Sequence, residues 1–373
     1  MAGDFSLFYD LSSVAGRLNF STALGDAYIM TLRIRDSYHS MGVALRLKRK
    51  TLSCFALVVV LLSAHTVSFA VSGKKTSSQV AAKDMPAMTI GQAIILGVVE
   101  GLTEYLPVSS TGHLLLTERL MGIGNSRSGS AEENQRHKEA ADAYAICIQA
   151  GAIIAVLGLY FRRVKQMLLG LVGKDPGGSR LLANVLAGFM PAAVIGLLLN
   201  KTIKAYLFGI WPVVMAWFVG GVFILAVSWW RRKYSRTVHG GQLLDNMTLR
   251  MALLIGFAQC IAMWPGVSRS LVTIVGGVMV GLSLPAAVEY SFLLGVLTLG
   301  AATAYDALKH GQLMLQTFDT LPMVIGLLFA FISAIVSVKW MVAYLNRHGL
   351  TLFGYYRVAI ALVTAVWLAG ISI

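Results

Sequence analysis

The stretch Gly97-Val-Val-Glu100-Gly-Leu-Thr-Glu104-Tyr-Leu-Pro107-Val-Ser109-Ser110-Thr-Gly-His113 decides the reading of this chain. It opens as an apolar helix, is interrupted at Pro107, and resumes behind a pair of serines. A second stretch, Gly256-Phe-Ala-Gln259-Cys-Ile-Ala-Met-Trp-Pro265-Gly266-Val-Ser268-Arg269-Ser270-Leu-Val-Thr273, is built alike. At one fixed offset Gly97 falls on Gly256, Glu100 on Gln259, Val108 on Val267 and Ser109 on Ser268. Interrupted apolar helices at matching positions of two halves point to a binding site where the halves meet. Ionisable residues at membrane depth are costly and are functional candidates by default.

The surrounding chain is a membrane protein by composition. Its 373 residues are 57% hydrophobic and 13% charged, with a mean hydropathy of +0.71. A soluble chain carries about a quarter charged residues. The net charge of +14 raises the question of nucleic acid, but its placement argues against that partner. Arg162, Arg163, Lys165, Lys174 and Arg180 form one cluster between apolar runs, and Arg231, Arg232, Lys233, Arg236 and Arg250 form another. Basic segments between spans mark the cytoplasmic side. Cys54, Cys147 and Cys260 are isolated in apolar runs and read as small core residues.

Six runs are long enough to cross a bilayer: Ala141–Phe161, Leu181–Leu199 with a kink at Pro191, Trp211–Trp230, Pro285–Thr303, Leu321–Tyr344 and Leu352–Ile373. Met88–Met121 and Met251–Gly281 are too interrupted for plain spans and read as re-entrant. Such backbone is tolerated only inside protein or beside a wet cavity. The expected fold is therefore all-α: a polytopic integral membrane protein with two inverted-topology repeats, each containing a broken, re-entrant helix. With the basic clusters inside, Gly122–Ala140 becomes an aqueous loop outside, and the short Asn200–Ile210 loop is outside too. Residues 1–45 form an N-terminal extension of no readable character. Residues 46–83 combine Arg46-Leu-Lys-Arg-Lys50, an apolar run and a polar linker; they fit a signal peptide or an extra anchor. Residues 84–373 form the membrane domain.

Glu100 and Glu104 share a helix face, being four residues apart. Two such carboxylates hold a proton or a cation between them, and Mg²⁺ or Ca²⁺ suits their oxygens; the alternative is a solvated helix end. Ser109 or Ser110 caps the helix after the first break, and Ser109, falling on Ser268, is the expected capping residue. Two helix N-termini facing one place make an anion site. Arg269 adds a fork suited to phosphate, and Ser268, Ser270 and Thr273 add hydroxyls. Each hydroxyl has the alternative of capping and packing only, and Arg269 that of snorkelling. His113 lies one turn past Ser110, where it suits a general acid or base for a serine nucleophile. A dianion pocket at membrane depth points to a lipid phosphate.

These residues resemble the undecaprenyl-diphosphate phosphatase family of the bacitracin-resistance type. Its Glu/Gln-x-x-x-Glu motif matches Glu100 and Glu104, and its Pro-Val-Ser-Ser-Thr-Gly-His run matches Pro107 to His113. Its Pro-Gly-x-Ser-Arg-Ser-x-x-Thr motif matches Pro265, Gly266, Ser268, Arg269, Ser270 and Thr273. Gln149–Ala155 and Glu289–Leu294 also look like the family, and the resemblance covers Met88 to Ile373. It implies hydrolysis of an isoprenyl diphosphate lipid to the monophosphate carrier of cell-wall synthesis, in the bacterial inner membrane, with Mg²⁺ or Ca²⁺ and a site open to the periplasm. Carried over, Ser110 is nucleophile or polarised hydroxyl, His113 its proton partner, and Arg269 the diphosphate ligand. Glu100 and Glu104 handle metal or proton, with Glu104 also catalytic; Ser109, Thr111, Gly266, Ser268, Ser270 and Thr273 line the substrate. Leu271, Gly295 and Leu297 depart from the family's Gly, Ala and Pro. A polyprenyl-phosphate transporter or flippase is the alternative, since broken repeats suit alternating access. A homodimer is left open.

Overall fold

The computed structural model describes residues 88–123, 131–207, 209–234 and 240–371. The segments expected at residues 1–45 and 46–83 lie outside the described residues. Within them the chain is helical: α1 Ile90–Thr103, α2 Ser110–Met121, α3 Ala131–Leu159, α4 Phe161–Leu171, α5 Pro176–Leu207 and α6 Ile210–Tyr234. Then follow α7 Leu249–Gln259, α8 Arg269–Met279, α9 Leu284–Thr317, α10 Thr320–His348 and α11 Thr351–Ile371. Among the described residues six helices are long and apolar enough to cross a membrane: Glu139–Leu159, Pro176–Leu199, Ile210–Trp230, Leu284–Thr317, Thr320–His348 and Thr351–Gly370. They match the six expected spans, so the protein is an all-α, multi-pass membrane protein.

Several helices run on beyond the apolar runs that hydropathy marks. The expected loop Gly122–Ala140 is helical from Ala131 onward, because Ala131-Glu-Glu and Lys138-Glu-Ala-Ala are strong helix formers whatever their polarity. α5 runs through Pro191 and on to Leu207, over most of the expected Asn200–Ile210 loop. α9 continues past Thr303 to Thr317. Arg163, placed by sequence in a basic loop, lies on α4 and bonds Glu289 at 2.9 Å and Asp245 at 2.8 Å. That contact ties the basic end of the molecule to α9.

α1 and α7 are too short to span. The 14 residues of α1 reach about 21 Å, against about 30 Å of hydrocarbon. Both start on a threonine cap at the shared offset: Thr89 accepts from Gln92 N in a capping box, and Thr248 accepts from Met251 N. Both cross a long helix through paired glycines. A Cβ on Gly97 of α1 would overlap the Gly326 carbonyl of α10, and one on Gly256 of α7 would overlap the Gly188 carbonyl of α5. A tyrosine hydroxyl lies against each second glycine, Tyr144 at Gly326 and Tyr290 at Gly188.

The interruptions follow from local chemistry. Pro107 disfavours the α-conformation at Leu106, and Pro265 does the same at Trp264, which is extended at ψ 115°. The chain turns back into α2 and α8 through Ser109 (φ 75°, ψ 102°) and Ser268 (φ 76°, ψ 113°). These are the two non-glycine residues with positive φ among the described residues. Such backbone costs about 1–3 kcal/mol each and persists only where neighbours hold it.

Candidate active site

The two breaks face each other. Ser270 Oγ at the head of α8 donates to the Leu106 carbonyl at 2.8 Å, and Ser268 Oγ reaches the same oxygen at 3.5 Å. Trp217 of α6 donates its indole N–H to the Val108 carbonyl at 3.0 Å. Arg357 of α11 is fully buried and bonds Pro107 O at 3.3 Å, Gly266 O at 2.8 Å and Ala216 O at 2.9 Å. Pro107 and Gly266 are partners under the internal offset, so one guanidinium holds both breaks at equivalent carbonyls. A Cβ on Gly220 would overlap that guanidinium, which is why α6 carries glycine there. Gly266 itself, at φ 96°, has a backbone that only glycine adopts readily.

Between the breaks lies a buried polar cluster. Glu104 accepts from the Ser110 hydroxyl on one carboxylate oxygen and from Arg269 Nη2 at 3.0 Å on the other. The Glu104 and Arg269 side chains are 5% and 10% exposed. Arg269 Nη1 donates to the Ser291 carbonyl at 3.1 Å, and the guanidinium lies 5.2 Å from the centre of the Tyr105 ring. Thr273 Oγ1 donates to the Arg269 carbonyl at 2.8 Å and is 2.6 Å from Ser291 Oγ. A Cβ on Gly295 would overlap the Arg269 guanidinium, so this departure from the family pattern makes the room in which the arginine lies.

Some buried polar groups stay uncommitted. Both carboxylate oxygens of the fully buried Glu100, and Arg269 Nε, have no hydrogen-bond partner. Glu104 and Arg269 are the charged neighbours of Glu100. An orphaned buried carboxylate costs several kcal/mol unless a proton or a cation joins it. No group of three His, Cys, Asp or Glu forms a metal centre among the described residues. A Mg²⁺ or Ca²⁺ ion held by one or two carboxylates together with substrate phosphate oxygens needs no such group, so Glu100 beside Glu104 fits one.

The structure rearranges the expected pairings. Ser110 bonds Glu104, and His113 is turned elsewhere: Nδ1 is 2.6 Å from the Ser109 carbonyl and Nε2 is 2.7 Å from the Tyr356 hydroxyl. The expected cap by Ser109 does not form, whereas Ser268 does cap, accepting from Leu271 N at 3.3 Å. Ser109 is buried, and its hydroxyl makes no capping bond to α2. Ser270 and Thr273 are fully buried and turn their hydroxyls onto the scaffold, and Thr111 is exposed at the start of α2.

Tyr356, Arg357, Ser291 and Trp217 were not legible as site residues. All four lie in runs that read as plain spans. The one available signal was Arg357 itself, a lone charge inside the apolar run from Leu352.

Residues 93–363 match the family model of the bacitracin resistance protein BacA. A protein of Sorangium cellulosum named undecaprenyl-diphosphatase is 44% identical over 277 residues, 74% of this chain and 85% of the relative. Undecaprenyl-diphosphatase 2 of Rhodospirillum rubrum is 42% identical over 279 residues, 75% of this chain and 95% of that protein. Undecaprenyl-diphosphatase 1 of Chromobacterium violaceum is 40% identical over 281 residues, 75% of this chain and 97% of that protein.

Proposed function

This chain belongs to the family of the bacitracin resistance protein BacA, and we propose that it hydrolyses undecaprenyl diphosphate to undecaprenyl phosphate and inorganic phosphate. The relatives named for that activity support the substrate. The observation that carries the reading is Glu104, whose carboxylate takes the Ser110 hydroxyl on one oxygen and Arg269 on the other. Transport alone requires no such activated hydroxyl.

Ser110 Oγ attacks the terminal phosphorus while Glu104, already accepting its O–H, takes the proton. The bond from phosphorus to the bridging oxygen breaks, undecaprenyl phosphate leaves, and water then releases phosphate from the serine. Phosphoryl transfer relies above all on positioning and on neutralising charge. Arg269 supplies a fork for two phosphate oxygens. The first-turn N–H groups of α2, which no side chain caps, face an anion favourably, whereas Ser268 closes the equivalent end of α8. Glu100 and Glu104 would hold Mg²⁺ or Ca²⁺, which would supply further positive charge against the diphosphate.

The basic ends of the spans put residues 162–180 and 231–250 in the cytoplasm. The two repeats then insert with inverted topology, and the family resemblance implies a site that opens to the periplasmic side of the inner membrane. The test is phosphate release from undecaprenyl diphosphate by purified protein in detergent, with Mg²⁺ or Ca²⁺ and with chelator. Metal-dependent release that Arg269→Ala abolishes is expected. A folded wild-type protein that releases no phosphate with either metal overturns the reading.

A further inference from the structure

His113 ends a chain of contacts that starts on α11. The Ser109 carbonyl can only accept, so the 2.6 Å contact places a proton on His113 Nδ1. In the neutral ring Nε2 then carries the lone pair, and it receives the Tyr356 O–H at 2.7 Å. The imidazole is nearly parallel to the Tyr356 ring at 5.7 Å and lies 5.0 Å from the Trp217 ring. Both nitrogens are engaged, and neither is on Ser110.

The carbonyl at the end of this chain belongs to the positive-φ residue of the first break. It is part of the peptide bond that carries Ser110. The second break is held differently: Ser268 caps through its own hydroxyl, and the residue equivalent to His113 is Val272, which has no polar side chain. His113 therefore braces the first break at the Ser109 carbonyl, a side-chain contact that Val272 cannot make at the second, while the Ser109 hydroxyl makes no cap.

We infer that Tyr356 is a positioning residue of the phosphatase site, holding His113 in the Nδ1–H form so that the imidazole braces the Ser109 carbonyl and fixes where Ser110 points. The inference rests on the hydrolytic reading above and extends it to α11. Tyr356 is 41% exposed, so removing its hydroxyl empties no core.

The experiment compares wild type, Tyr356→Phe, His113→Gln and the double variant, each purified in detergent, in phosphate release from undecaprenyl diphosphate. Tyr356→Phe is expected to lower kcat about tenfold, the scale of one lost hydrogen bond, with KM unchanged. In the His113→Gln background the same change is expected to have no further effect. ¹H–¹⁵N spectra of histidine-labelled protein, with His113 assigned by its absence from His113→Gln, should show the Nδ1–H tautomer in wild type and a mixture in Tyr356→Phe. Wild-type kcat in Tyr356→Phe alongside a damaged His113→Gln overturns the inference and leaves the phosphatase reading standing. So does a Tyr356→Phe loss that persists in full without His113. Absence of phosphate release from wild type overturns the phosphatase reading itself, and the tautomer spectra still decide the contact.

Discussion

The first and second breaks have nearly the same backbone and almost no chemistry in common. Ser109 and Ser268 differ by a degree in φ, and Thr89 and Thr248 cap the helices before them alike. Yet Glu100, Glu104, Ser110 and His113 face Gln259, Met263, Arg269 and Val272 at the equivalent positions. The acids and the hydroxyl are on one side and the cation is on the other. Their meeting point is the Glu104 carboxylate, which takes Ser110 from its own break and Arg269 from the opposite one. The repeated frame sets the distance between the halves. The differences between them make an active site, because two identical acidic halves would repel and two identical basic halves would hold no attacking group.

The sharpest way to break that comparison is Ser110→Ala. It leaves the frame whole and removes the attacking oxygen, so kcat should fall on the order of a thousandfold or more, read as phosphate release. A variant that keeps most of its rate makes water the attacking group.

Arg269→Lys tests the other half. A lysine keeps the charge but cannot reach Glu104 and the Ser291 carbonyl together, so kcat/KM should fall about a hundredfold. Arg269→Ala also leaves Glu104 buried without its partner and should cost about 3–5 kcal/mol in thermal or denaturant unfolding. Equal stability of the two variants would show that the pair contributes nothing to folding.

Gly295→Ala sharpens the geometry. The atoms nearest the added methyl belong to the flexible guanidinium end of Arg269, so the protein should still fold. The guanidinium should move, and KM for the diphosphate should rise several-fold, about the 1 kcal/mol of a strained hydrogen bond. Unchanged kinetics would mean that the arginine has a second position of equal value.

The smallest effect separates the two serines. Ser268→Ala removes a real cap and should cost about 1 kcal/mol of stability. Ser109→Ala removes no cap, so its unfolding should match wild type while KM rises. Equal destabilisation by both would show that the breaks are alike after all.

Much of this was legible in residue order. The six spans follow from apolar runs, and the two breaks follow from Pro107, Pro265 and the serines behind them. What misled was polarity taken as a helix boundary. Ala131 to Ala140 is polar and helical, and α9 runs well beyond Thr303. Helix formation depends on local backbone bonds, whereas hydropathy reports only the medium outside. The pairing of Ser110 with His113, expected from one-turn spacing, failed because a neighbour in sequence says nothing about a competitor from another helix. Tyr356 takes Nε2 from 243 positions away.

The sequence by itself determined the class, the spans, the two equivalent breaks and the set of groups that carry chemistry. Each of these depends on a residue and those within a few positions of it: proline geometry, serine caps, apolar length, charge at depth. Only the tertiary structure decided which groups touch. It placed Glu104 between Ser110 and Arg269, turned His113 toward Tyr356, and drove the Arg357 guanidinium onto the carbonyls of Pro107 and Gly266. Those contacts join residues far apart in the chain. They form where close-packed helices leave one oxygen within reach of one donor, and no local pattern encodes that distance.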